Sequence, residues 1–254
     1  MKINDEPKYS VGSVEKMFTI IEILAESRSS LTLSEITMMM GEARSTVHRF
    51  IKTMEALDYL VQHPSTKRYS LSYKFLWLGY TSSSRDGLIN KIAPVMNLFA
   101  MKYEVFVTLY LRDGINMYAA HTVSPASDRQ LRTLVTGNRI LPYASAAGKL
   151  SLALAAPEVL ERYLQNITLT PLTSHTIIRK KDLRSALEKV RVQGYSTSFF
   201  ESNEDDCAMA FPIYDQFGQF FSAVSLIAKK DKFEEINTPS IVGRIIADLA
   251  NLRF

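Results

Sequence analysis

The sequence predicts an α+β chain, with a small helical N-terminal unit closed by a β-hairpin and then an antiparallel sheet flanked by helices. Three observations carry this. Apolar residues recur at three- and four-residue steps between Ser13 and Asp58. Alternating β-branched and aromatic residues fill runs near 105–123 and 207–228. Between Ala43 and Arg85 the bases Arg44, Arg49, Lys52, Lys67, Arg68, Lys74 and Arg85 face only Glu55 and Asp58, whereas acids outnumber bases before Ala43.

Bulk usage sets the limits. With 46% hydrophobic and 22% charged residues, the 254-residue chain has globular composition and length for more than one domain. Apolar runs such as Leu152 to Ala156 fall far short of the roughly 20 residues a membrane span needs, so no membrane partner is expected. Met1 to Gly12 carries Lys2, Asp5, Glu6 and Lys8 without an apolar stretch, and reads as a disordered arm over 1–12 rather than a secretory signal. Cys207 is the only cysteine, which excludes an internal disulfide and points to a reducing, cytoplasmic setting.

Val14, Met17, Phe18, Ile21, Leu24 and Ala25 share one face of a helix from about Ser13, its expected N-cap, to Ser27. Thr32 followed by Glu35 is a capping-box pair, so a second helix starts near Leu33 with Leu33, Ile36 and Met40 inward. Gly41 breaks the pattern. Val47, Phe50, Ile51, Met54 and Leu57 then restore a helical face from about Ala43 to Asp58. Two helices about a tight glycine turn form a helix-turn-helix, whose second helix lies in the DNA major groove. Leu60 to Gln62 and Lys67 to Leu71 bracket His63-Pro64-Ser65-Thr66 as a hairpin, the wing of a winged helix-turn-helix over 13–75.

The solvent face of the third helix carries Arg44, Ser45, Thr46, His48, Arg49, Lys52 and Thr53, each able to donate a hydrogen bond, and no acid. Arginine forks suit guanine, while lysine and hydroxyl groups suit phosphate. Lys67 and Arg68 at the hairpin would reach phosphates or the minor groove. The bland alternatives are a solvated helix face, which ordinarily intersperses glutamates, and a bare surface hairpin.

Leu88, Ile92, Val95, Leu98 and Phe99 predict a connecting helix from Gly87 to Tyr103 within a linker region at 76–103, with Pro94 kinking or restarting it. In the domain at 104–254, Val105 to Tyr110 is apolar on both faces and reads as a buried strand, with Asp113-Gly114 turning into a second strand from Ile115 to Val123. Helices follow at Ser145 to Ala155, Pro157 to Leu164 and Asp182 to Val192, the last closed by Gly194. Cys207 to Tyr214 and Gln219 to Ala228 supply two more strands, and Ile241 to Leu252 a terminal helix.

Ala146-Ala147-Gly148 opens a helix with small side chains, which exposes backbone N–H groups to an anion such as a carboxylate. Close helix–sheet packing demands small residues equally. Cys207 could serve as nucleophile, metal ligand, pocket residue or small core group, yet no motif ties His48, His63, His121 or His175 to it as a base. No His or Cys pair has metal-ligand spacing, so neither metal nor cofactor is expected.

The segments Ser13-Val14-Glu15-Lys16, Leu31 to Ile36 and Arg44 to Phe50 resemble the IclR family of bacterial transcription regulators. Tyr69-Ser70-Leu71, Leu78-Gly79, Pro142 to Lys149, Gly194-Tyr195, Glu201, Cys207 and Pro212 extend the likeness along almost the whole chain. The resemblance implies a GAF-like effector domain, a homodimer or tetramer on double-stranded operator DNA, and more commonly repression of a catabolic operon. It also implies a small-molecule effector, an aromatic or sugar acid, held by Ala146 and Ala147 with Ser198, Cys207 and Ser225 around the cavity. Arg132 is a further candidate to pair with its carboxylate. Two departures stand out: Phe199-Phe200-Glu201 keeps one acid where the family has a pair, and Glu204-Asp205-Asp206 replaces its usual glycine. An enzyme using Cys207, or a structural protein binding DNA without sequence preference, are the competing classes.

Overall fold

The computed structural model describes residues 10–27, 29–83, 87–126 and 137–252, so most of the expected arm at 1–12 and the whole of the segment holding Arg132 lie outside the described residues. The chain divides into two compact units, residues 2–85 and 86–254.

In the N-terminal unit, α1 (Gly12–Glu26), α2 (Leu33–Met40) and α3 (Arg44–Ala56) precede a hairpin of β1 (Leu60–Gln62) and β2 (Tyr69–Leu71), and α4 (Lys74–Ser83) closes the unit. The expected cap at Ser13 is corrected: the N-cap is Val11, two residues earlier, and its side chain makes no cap bond. The buried face of α1 is also rotated. Ile20 and Leu24 are in the core, while Val14 and Phe18 are exposed, because apolar residues populate more than one stripe of this helix and periodicity alone cannot choose among them.

The Thr32 capping box forms in full: Thr32 Oγ1 accepts from Glu35 N at 3.2 Å, and Thr32 N donates to Glu35 Oε2 at 2.6 Å. Gly41 then takes a left-handed conformation at φ 66°, which a side chain would strain, and turns the chain into α3. Ile36, Val47, Ile51 and Met54 meet Ile20, Leu24, Leu60 and Tyr69 in a single small core. The hairpin is in register from Leu60↔Leu71 to Gln62↔Tyr69. A bridge between Leu31 and Tyr69 stitches it to the segment before α2.

The second unit is built on a six-stranded antiparallel sheet in the order β5-β4-β3-β8-β7-β6, from β3 (Phe106–Asp113), β4 (Asn116–Val123), β5 (Arg139–Ile140), β6 (Ser196–Phe199), β7 (Cys207–Tyr214) and β8 (Phe220–Ala228). Helices cover both faces. On one, α5 (Leu88–Tyr103), α9 (Lys230–Ile236) and α10 (Pro239–Ala250) pack on Val107, Leu109, Met209, Phe211, Val224 and Leu226. On the other, α6 (Ala146–Ala153), α7 (Pro157–Asn166) and α8 (Lys180–Gln193) pack on Tyr110, Ala119, Ala210 and Ala223. The central strand β3 is buried on both faces, as its unbroken apolar run requires.

Pro94 neither stops nor restarts α5. It forfeits one intrahelical hydrogen bond, but Leu88, Ile92, Met96, Phe99, Ala100 and Tyr103 are all buried along the helix and hold it as one element. The region expected as a single linker therefore contains two helices of different kinds, α4 on the N-terminal unit and α5 in the core of the second. Among the described residues no helix is long and apolar enough to cross a membrane.

Candidate nucleic-acid interface and effector site

The third helix turns Val47, Ile51 and Met54 into the core, which fixes what the opposite face presents. Arg44, Ser45, His48, Arg49, Lys52 and Thr53 are exposed, and Thr46 is half-buried. The side chains are not equally available. Arg44 Nη1 donates to Ser34 Oγ at 2.7 Å, and Thr53 Oγ1 donates to the carbonyl of Arg49 at 2.9 Å. Lys52 pairs with Glu55 at 2.7 Å, and this hydrogen bond holds its ammonium above the ordinary lysine value. The nearest acids are thus neutralised, for Glu42 is likewise paired with Lys16 at 2.8 Å. A dense set of donors remains.

The hairpin places its two basic candidates differently. Arg68, read as a DNA contact, is half-buried and turned inward: Nε donates to the carbonyl of Ser30 at 2.8 Å, and Nη2 lies 3.0 Å and 3.2 Å from the two carboxylate oxygens of Glu35. The Thr32 backbone N–H, the Thr32 hydroxyl and then Arg68 hold the Glu35 carboxyl below its ordinary value. Lys67, by contrast, is exposed at the hairpin tip in a left-handed conformation at φ 56°. Its backbone is pinned by Lys67 N donating to the His63 carbonyl at 2.9 Å and by Gln62 Nε2 donating to the Lys67 carbonyl at 3.1 Å. No sequence motif signals the Arg68 contact, because its partners lie 33 and 38 residues away.

In the second unit α6 starts behind Ser145, whose Oγ accepts from Gly148 N at 3.2 Å and donates to the Leu141 carbonyl at 2.9 Å. Ala146 and Ala147, at 2% and 1% exposed, occupy its first turn, ahead of the first intrahelical bond. Gly148 is there for space, since a Cβ would stand 2.6 Å from the backbone of Pro142. The small-residue segment thus packs closely against the Pro142 loop and places the first turn of α6 in the interior.

Strand register sorts the remaining candidates by face, because directly paired residues point to the same side and successive residues to opposite sides. Ser225 pairs with both Ala210 and Thr108, and Ser198 pairs with Ala208. All of these lie on the α6 side, with Ser225 Oγ buried and without a hydrogen-bond partner. Cys207 does not join them. It points with Met209 and Phe211 into the α5–α9–α10 core, fully buried, and burial pushes its thiol above the ordinary value. One residue along a strand reverses the face, so Cys207, expected beside Ser198 and Ser225, faces away from them, and Ala208 shares their side.

Sequence reasoning missed a buried ion pair beside this face. Lys149 Nζ, on α6, pairs with Glu201 Oε1, both side chains being under a tenth exposed. Burial pulls the Lys149 ammonium below the ordinary value, opposed by its attraction to Glu201. Glu201 Oε2 has no hydrogen-bond partner, while Thr173 and Thr176 donate to the carbonyls of Phe200 and Glu201 at 2.6 Å and 2.7 Å. A lone lysine in the run Ala146 to Ala156 was the available signal, since a buried charge requires a partner. A groove of about 780 Å³ between β7 and α10, lined by Phe211, Ile213, Tyr214, Ile246 and Leu249, contains none of the candidate residues. Among the described residues no group of His, Cys, Asp and Glu could hold a metal ion.

Comparison with known proteins gives a consistent result. The profile described as "Bacterial transcriptional regulator IclR C-terminal" matches residues 80–251, and "IclR helix-turn-helix domain" matches residues 13–64. The HTH-type transcriptional regulator KdgR of Dickeya chrysanthemi is 27% identical, over 98% of this chain and 81% of its own length. KipR of Bacillus subtilis, of the same type, is 26% identical over 86% of each chain. Among solved structures, an IclR transcriptional regulator from Alicyclobacillus acidocaldarius aligns with TM-score 0.78 at 22% identity, covering 95% of this chain and 96% of that one. An IclR homolog from Microbacterium hydrocarbonoxydans, complexed with 4-hydroxybenzoate, aligns with TM-score 0.78 at 20% identity over 94% and 96%.

Proposed function

This chain belongs to the IclR family of bacterial transcriptional regulators, and from that premise we propose that it binds an operator through α3 and the hairpin and responds to a small carboxylate at the α6 face of its second unit. The observation that carries the first half is the exposed, acid-free row Arg44, Ser45, His48, Arg49, Lys52 on a helix whose other face is fully committed to the core. Such a row lies in the major groove with arginine forks on guanine and lysine on phosphate. Replacing Arg49 with alanine is expected to weaken specific operator binding by about ten- to a hundredfold, the loss of a bidentate base contact, with the thermal unfolding midpoint unchanged. Equal affinity of wild type and variant in a gel-shift titration removes the recognition-helix assignment.

The effector half rests on the buried N-terminus of α6 at Ala146 and Ala147 and on Ser198 and Ser225 lying on the same side of the sheet. Helix-end N–H groups favour an anion, and the 4-hydroxybenzoate carried by one homolog is an acid of that size. Calorimetric titration with a panel of small carboxylates and their neutral amides tests this, with heat expected only from the acids. The regulator acts as a homodimer or tetramer, as repressor of a catabolic operon in the cytoplasm, and not as an enzyme. Its ligand acts by binding one DNA-binding state better than the other.

A further inference from the structure

The first turn of α2 holds the hairpin and the recognition helix at once. Arg68 ties the hairpin to Ser30 and Glu35, the Leu31–Tyr69 bridge adds backbone bonds of 2.9 Å and 2.6 Å, and Arg44 at the head of α3 donates to Ser34. Glu35 is doubly engaged, because the carboxylate that receives Arg68 also closes the capping box on Thr32. Resting on the DNA-binding reading above, we propose that Arg68 is a positioning residue and not a DNA contact: clamped by Glu35, it holds the wing so that the Lys67 ammonium meets a backbone phosphate.

Geometry separates the two roles. A phosphate-binding arginine must present its fork outward, whereas the Arg68 fork is occupied by a carboxylate and a carbonyl, and Lys67, next to it, is exposed at the tip. The positive φ at Lys67 turns its side chain out of the hairpin's ladder, and the bonds from Lys67 N and Gln62 Nε2 keep it there. A lysine fixed in this way contributes one counterion to the salt dependence of binding, and substituting a residue that holds it in place forfeits that same counterion.

The test uses the full chain and a duplex that the wild type enriches from a randomised pool, with affinity measured between about 0.05 and 0.2 M salt. Glu35→Gln is the informative variant, because glutamine at this position still closes a capping box while losing the charge that holds Arg68. Losing one phosphate contact lowers affinity about tenfold at 0.1 M salt and flattens the logarithmic salt slope by about one. Glu35→Gln, Arg68→Ala and Lys67→Ala are each expected to do this, and Glu35→Gln combined with Lys67→Ala to do no more than either alone. A merely structural role would lower the unfolding midpoint and leave the slope intact. Tighter binding by Glu35→Gln, an unchanged affinity, or a slope loss of about two in the double variant would each overturn the proposal. If Arg68→Ala fails to fold, the Glu35→Gln arms decide alone. Failure of the wild type to enrich any duplex removes the DNA-binding reading itself, and this inference with it.

Discussion

Gly148 decides how closely the loop at Pro142 can approach α6. A methyl group there meets backbone at 2.6 Å, and backbone cannot rotate away. Gly148→Ala is therefore expected to destabilise the protein by about 1–3 kcal/mol, as overpacking does, despite alanine's better helix propensity, read as a lower chemical-denaturation midpoint. Lys149 and Glu201 illustrate a different constraint. Removing one partner strands a buried charge, so Glu201→Ala is expected to cost about 3–5 kcal/mol, while Lys149→Met with Glu201→Leu is expected to recover most of it. Equal losses in the single and double variants would mean that the pair's packing, and not its charge, matters.

At the scale of elements, the capping turn of α2 couples helix formation to the wing. Its carboxyl, Glu35, is held below the ordinary value of 4.5. A group with a depressed folded value gives its full stabilisation above the unfolded value and loses it as pH falls through the folded one. Protection of the Leu31 and Tyr69 amides, corrected for the intrinsic exchange rate, is thus expected to fall in the wild type as pH drops through the depressed Glu35 value, and to stay constant there in Glu35→Gln. Most elements of this unit were legible from local rules: the Thr32–Glu35 pair, Gly41 and the apolar rhythm of α3 mark their own boundaries. The second unit was legible in its long strands and helices, but β5, β6 and α9 there, like α4 in the first unit, escaped, being short or lacking a distinct period. Candidate residues were legible by type and less so by direction. Arg68 turns inward beside an exposed Lys67, and Cys207 faces the opposite side of the sheet from Ala208, because adjacent positions on a strand or turn differ only in which way they point.

The molecule as a whole consists of two units with separate cores, one around Ile20, Ile51 and Met54, the other on the two faces of the sheet. A fragment beginning at Asp86 is expected to unfold cooperatively and to retain carboxylate binding while losing affinity for DNA. A non-cooperative melt by circular dichroism would show that the second unit depends on the first. Cys207 makes the two units experimentally separable without cutting the chain. It is the only thiol in the sequence and is sealed at 0% exposure beneath α5, α9 and α10. A thiol reagent added to the intact protein consequently reads a single event, the opening of the sheet domain, and is blind to the melting of the DNA-binding head. Labelling rate against denaturant gives an unfolding clock for one half of the molecule, and any effector that binds this half should slow it.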